Sequence, residues 1–173
     1  FALVAGGTGS PDFEMPAPSF DDSFNGVWDV FVVRHDLLPL GVSAYGASSP
    51  GCNGPLAMGV LGWPQVGNAA FALTCTNAPP GRTGVAYLGT AARITPFSIV
   101  GLSIWVDPFS PYVRLPARGD ARGFAEVPMP LPNDGTLAGL DLFAQFAWQG
   151  PSAPPCPPLG YSASNALRIT IQP

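Results

Sequence analysis

Leu140-Asp-Leu-Phe-Ala-Gln-Phe-Ala-Trp148 decides the fold. Read with a period of two, it sets Leu140, Leu142, Ala144, Phe146 and Trp148 on one face, the pattern of a strand with one side in a core. A helix over the same residues fails at its ends, where Gly139 precedes and Gly150-Pro151 follows. Outward from it the same grammar repeats. Ala166 to Ile171 places Leu167, Ile169 and Ile171 on one face and is expected to close the sheet. Phe71 to Thr76 alternates, stops at Asn77-Ala-Pro-Pro-Gly81, and Gly84 to Gly89 follows at hairpin distance. Ile99-Val-Gly-Leu-Ser-Ile-Trp-Val106 is the most apolar run and reads as a central strand. Gly123 to Met129 sets Phe124 and Glu126 against Ala125 and Val127, and Pro128 and Pro130 make it an edge. Asn133-Asp-Gly135 reads as a turn, because Asn and Gly tolerate positive φ. Short strands between turn clusters make an all-β fold, a β-sandwich of jelly-roll or Ig-like type with an N-terminal extended strand arm.

Composition points the same way. The 173 residues include 22 Pro and 21 Gly, too many for long helices, since Pro removes a backbone donor and Gly weakens a helix interior. Disorder is excluded by 47% hydrophobic and only 10% charged residues. The seven basic residues are all Arg, and the net charge is −4 with no basic cluster, which argues against a nucleic-acid partner. No uninterrupted apolar run reaches the ~20 residues of a membrane span. The chain opens at Phe1 inside an apolar run and reads as a mature or cleaved form, or as the visible part of a longer precursor, of a secreted or cell-surface protein.

Three regions differ in character. Residues 1–36 form an arm with two strands, Phe1 to Ala5 and Val27 to Arg34, joined by a turn-rich linker from Gly6 to Gly26. The arm carries six acids (Asp12, Glu14, Asp21, Asp22, Asp29, Asp36) and one Arg, a net of −5, while residues 37 to 173 carry five acids and six Arg, a net of +1. Residues 37–50 read as a linker and 51–173 as the sandwich. Opposite charge on arm and body is the asymmetry expected of head-to-tail association.

The run Val4-Ala-Gly-Gly-Thr-Gly-Ser-Pro-Asp-Phe13, followed by Phe24-Asn-Gly-Val-Trp-Asp-Val-Phe-Val-Val-Arg-His-Asp36, resembles a bacterial β-propeller-type (SBBP) repeat. It stands as a single copy, whereas a propeller closes only with several blades. An orphan half-blade exposes edges that must be paired, by its own domain or by another subunit. Further along, Gly51-Cys-Asn-Gly-Pro55, Gly67-Asn-Ala-Ala-Phe-Ala-Leu73, Val85-Ala-Tyr-Leu-Gly89, Val127-Pro-Met-Pro130, Leu137-Ala-Gly-Leu140, Phe143-Ala-Gln145 and Ser164-Asn-Ala-Leu167 together resemble a β-sandwich domain of secreted planctomycete-type bacterial proteins. That resemblance implies no activity. It implies a second Cys within Gly101 to Ile104, which this sequence lacks, so Cys75 and Cys156 stand as alternatives.

Chemistry is sparse. Cys52, Cys75 and Cys156 suit one disulfide and one leftover thiol, in any of three pairings, and Cys75 shares a face with Phe71 and Leu73 that points it into the core. The one His, His35, has no nucleophile motif beside it, and with no metal-ligand spacing the sequence implies no cofactor and no metal. Asp120, Glu126, Asp134 and Asp141 could supply a carboxylate pair, yet their neighbours give no burial signal, so the chain reads as no enzyme. Asp12, Asp21, Asp22 and Asp134 lack the dense spacing of a calcium loop. Arg118-Gly-Asp120 spells an adhesion tripeptide of a kind that arises often by chance. Among Trp63, Trp105, Trp148, Tyr45, Tyr87, Tyr112 and Tyr161, only Trp63 and Tyr112 sit in turn-rich stretches, as an exposed pair able to stack on a sugar.

The expectation is an extracellular structural protein that self-assembles into a filament or surface layer, its N-terminal strand completing a neighbour's sheet. Phe1, Leu3, Val27, Trp28, Val30, Phe31, Val32 and Val33 would form the interface, with Trp28, Val30 and Val32 on one face and Val27, Phe31 and Val33 on the other. The alternative is a carbohydrate-binding module of a larger secreted protein, contacting surface glycans through Trp63 and Tyr112.

Overall fold

The computed structural model describes residues 2–10, 26–35, 38–52, 54–150 and 160–173. The chain divides into two compact units, Phe1–Leu37 and Leu38–Pro173. The first is an antiparallel pair, β1 (Ala2–Thr8) with β2 (Asp29–His35), in register from Ala2↔His35 to Thr8↔Asp29. Gly6 and Gly7, expected in the linker, therefore belong to β1. Gly6 is there for Phe31: a Cβ on it would stand 2.6 Å from the ring that packs across the strand pair.

The second unit is a β-sandwich. Its larger sheet runs in the order β3 (Val42–Tyr45), β12 (Tyr161–Thr170), β11 (Asp141–Gln149), β6 (Thr83–Gly89), β9 (Tyr112–Arg118). Its smaller sheet runs β10 (Ala125–Pro128), β5 (Ala72–Thr76), β4 (Ala57–Leu61). All these pairings are antiparallel. Between the sheets Ala86, Ala144, Phe146, Trp148, Leu167 and Ile169 meet Met58, Leu73, Cys75, Ala125 and Val127 in one buried cluster. Phe146 and Trp148 stack at 5.8 Å between ring centroids, 12° from parallel. No helix of the described residues is long and apolar enough to cross a membrane.

Several strands differ from their sequence reading. β3 lies inside the stretch read as a linker and pairs with β12, Ala166↔Tyr45 to Ile169↔Val42. β12 extends to ten residues and runs in the interior of the sheet rather than closing it. β5 and β6 make no hairpin. Both edges of β5 are taken, by β4 and β10, so the chain crosses to the other sheet through Asn77, whose φ of 58° turns it away. The run Ile99 to Val106 is not one strand but the tip of a hairpin, β7 (Ala92–Ile99) with β8 (Leu102–Val106). Val100 and Gly101 form its two-residue turn, both at positive φ (45° and 78°). Such a turn favours Asn-Gly, and a β-branched residue there costs about 1–2 kcal/mol.

Gln145 explains how that hairpin is held. Alternation along β11 puts Ala144 and Phe146 in the core and Gln145 on the opposite face, where it is nevertheless fully buried. Its Oε1 accepts from the Trp105 N–H at 2.8 Å, and its Nε2 donates to the Ser103 and Ser164 carbonyls, both at 2.8 Å. The side chain thus stands in for a neighbouring strand along β8. Ser49 adds a second clip, its Oγ accepting from the Ser103 N–H while its own N–H donates to the Ala163 carbonyl. The Ser164 carbonyl is open to Gln145 because β12 bulges there, Ser164 and Asn165 facing Phe146 alone. The Phe146 N–H donates to Ser164 Oγ at 3.0 Å, and the Met58 N–H of β4 donates to Asn165 Oδ1 at 2.8 Å. One bulge thereby ties β8, the five-stranded sheet and the facing sheet together.

Gln145→Leu keeps the volume and strands three backbone groups. At roughly 1–3 kcal/mol for each buried group left unpaired, offset by water entering beside β8, urea unfolding should show a loss of about 3 kcal/mol. A loss under about 0.5 kcal/mol would mean that β8 does not depend on this clip.

Candidate functional site

Two surfaces stand out, one in each unit. In the first unit, strand alternation lines up Trp28, Val30 and Val32, exposed by 75%, 79% and 61%. Opposite them β1 offers only Ala5 and Gly7, and Trp28 lies over Gly7 and Gly9. Small residues on one strand and large apolar ones on the other make a flat apolar shelf. Phe31 is half-buried over Gly6 on the other face, and Val27 is exposed just before β2. Of the other interface candidates, Leu3 lies in β1 and Val33 in β2. Phe1 falls outside the described residues, as do Asp12, Asp21 and Asp22.

In the second unit a groove opens between β6 and the β7–β8 hairpin. Its inner compartment, about 180 Å³, is walled by Tyr87, Leu102, Ile104 and Val106, with Tyr112 beside them. A second compartment of about 470 Å³ shares Tyr87, Ile99 and Leu102 with the first and continues to Thr83, Gln149 and Tyr161. Tyr87 and Tyr112 pair at 5.8 Å with their rings tilted by 54°. Asp107 is the charged wall, and its oxygens are already engaged. Oδ2 accepts from the Ser110 hydroxyl at 2.6 Å and Oδ1 from Arg93 at 3.2 Å. The Ser110 hydroxyl, ahead of the Arg93 guanidinium, holds this carboxyl below the usual range.

The sequence candidates therefore separate. Tyr112 opens β9 and faces the groove, whereas Trp63, also exposed, sits in the turn after β4 and is not among its walls. Tyr87, grouped with the other aromatics in sequence, is the ring that Tyr112 meets. The acidic candidates hold local structure. Asp120 accepts from the Phe124 and Arg122 N–H groups, both at 2.8 Å, which closes the loop carrying the Arg-Gly-Asp triplet. Asp134 caps a turn of 3₁₀ helix, Gly135–Leu137, by accepting from Thr136. Asp141 binds Arg168 and Thr170, both at 2.6 Å. These contacts hold all three carboxyls below their ordinary range. Glu126 is exposed on β10, and His35 lies at the end of β2. Among the described residues no three His, Cys, Asp or Glu side chains gather as metal ligands would.

Of the cysteines, Cys52 is disulfide-bonded and Cys75 is a free thiol; Cys156 lies outside the described residues. Cys75, a disulfide candidate in sequence, instead fills core space, as its shared face with Phe71 and Leu73 implies. Burial pushes its thiol up to about 12, against a small opposing pull from the Trp148 indole N–H. That N–H has no oxygen or nitrogen acceptor, and sulfur accepts only weakly. No family model matches the chain, and neither does any curated protein or solved structure compared with it.

At pH 8 the native protein should leave Cys75 unmodified by a thiol-specific disulfide reagent over hours, then release one equivalent on denaturation. Rapid labelling of the folded chain would contradict the buried placement.

Proposed function

We propose that the chain is an extracellular structural protein that self-associates through its first unit, β1 adding edge to edge to a neighbouring copy to build a filament or surface layer. One contrast carries the reading. Edge strands of the sandwich bear the usual protection against strand addition: Arg114, Pro116 and Arg118 on β9, Glu126 and Pro128 on β10, and a length of only four residues for β3. β4 has neither charge nor Pro, but the Asn165 side chain occupies its Met58 N–H. β1 has no such device. Its seven residues, Ala-Leu-Val-Ala-Gly-Gly-Thr, contain no charge and no Pro, and β2 is its one strand neighbour among the described residues. The Trp28, Val30 and Val32 shelf supports the same reading, because a two-stranded sheet is marginal in water until a face or an edge is covered. So does the acidic arm on a slightly basic body.

In the full chain, Val30→Asp with Val32→Asp should convert assemblies seen by negative-stain microscopy into monomers in size-exclusion chromatography, with the far-ultraviolet circular dichroism of the sandwich retained. Assembly that survives both substitutions would remove the proposal.

A second reading, a carbohydrate-binding module, is favoured by one observation, the paired and partly exposed rings of Tyr87 and Tyr112. Aromatic rings at a groove mouth are platforms for the apolar face of a sugar. Retention on an insoluble polysaccharide, lost in Tyr112→Ala and kept in Trp63→Ala, would support it; no retention by the native chain would end it.

A further inference from the structure

We propose that the groove between β6 and the β7–β8 hairpin binds a dissolved, uncharged amphiphile, an alkyl chain in the inner compartment and a hydroxyl-bearing head in the outer one. This stands apart from assembly through the first unit and does not rest on it.

Three observations on the groove point to such a ligand. The inner compartment is apolar, and its one carboxylate is spent on Ser110 and Arg93, so it offers nothing to a charged or strongly hydrated group. At about 180 Å³ it exceeds the roughly 150 Å³ of an apolar cavity that takes a benzene ring, the scale of a short alkyl segment. The outer compartment, apolar over most of its wall, also presents the neutral polar side chains Thr83, Gln149 and Tyr161, none of which makes a side-chain hydrogen bond among the described residues. Their hydroxyls and amide are left for hydroxyl groups. Side by side, the two compartments reach the size and the mostly apolar, sparsely polar lining of small-molecule sites. Arg114 stands across from Tyr87 on β9 but is not among the walls.

Val100 supplies a further argument at the rim of the same groove. It is held at φ 45° in a turn where Asn would be relaxed, and 56% of it is exposed at the rim of the outer compartment. A strained, exposed, β-branched residue gains nothing for the turn or for solubility. Its apolar surface has a use if it covers the ligand where chain and head join. Replacing it by Asn should therefore relieve the turn and weaken the site at once, which separates binding from folding.

Titration calorimetry of the full chain with octyl glucoside, kept below its micelle concentration, should show saturable binding. Glucose alone and octanoate should each bind at least tenfold more weakly. Val100→Asn should weaken octyl glucoside about tenfold while raising thermal stability, and Ile104→Trp, which fills the inner compartment, should abolish binding. The Val30→Asp, Val32→Asp chain should bind as the native one does, whatever its assembly state. Absence of saturable binding would overturn the inference. So would glucose or octanoate binding as tightly as the glucoside, or both groove variants binding like the native chain; glucose alone would return the groove to the carbohydrate reading.

Discussion

The architecture of the second unit depends on a buried amide. Gln145 sits in a strand that reads as apolar, on the face turned away from the core, and its three hydrogen bonds all go to backbone. A buried polar side chain is costly when partly satisfied and specifying when fully satisfied. Here every bond also repairs a defect elsewhere. The Ser164 carbonyl is orphaned by the β12 bulge, and the Ser103 carbonyl and Trp105 N–H face away from β7's ladder. Without the amide, β8 would lie on the sheet with unpaired backbone, held only by the Ser49 clip, the Trp105 indole on the Ala47 carbonyl and its buried Leu102 and Val106. The groove beside it exists only because the hairpin is pinned along one side, toward β11 and β12, and stands off from β6 on the other.

A second theme is the uneven treatment of strand edges. The sandwich keeps its margins unreactive with Arg, Pro, a four-residue edge strand and an Asn side chain. The β1–β2 pair spends none of these on β1, and places its large apolar side chains on an exposed face. Both surfaces of interest, the shelf and the groove, are mostly apolar and carry little free charge. This accords with a chain in which one residue in ten is charged.

Much of this was legible in the sequence. Period-two alternation from Leu140 to Trp148 correctly placed Ala144, Phe146 and Trp148 in the core, and Pro128 correctly marked β10 as an edge. Alternation reports faces but not partners, which is why β5 and β6 were expected to pair and do not. It also fails where a turn is built from an unusual residue: Val100 hid the break in Ile99 to Val106, and only Gly101 signalled it. The polar clip was written in Phe143-Ala-Gln145 and Ser164-Asn-Ala-Leu167, yet the sequence alone cannot say that a Gln on the outward face will be covered by a hairpin about 40 residues upstream. For the same reason Trp63 and Tyr112 looked like a pair, both being aromatics in turns, while the ring that Tyr112 meets comes from the middle of β6.

The interior position of β12 has a consequence for the order of events during synthesis. Residues 161–170 are made after every other described strand, yet they lie between β3 and β11 and carry the bulge that joins the layers. Until they emerge, β3 has no partner and one margin of β11, with Phe146 and Trp148 beside it, stays open. The sandwich therefore cannot close progressively behind the ribosome. A nascent chain holds apolar strands in waiting, the state in which β-rich proteins are most exposed to misassociation and most in need of a holding chaperone.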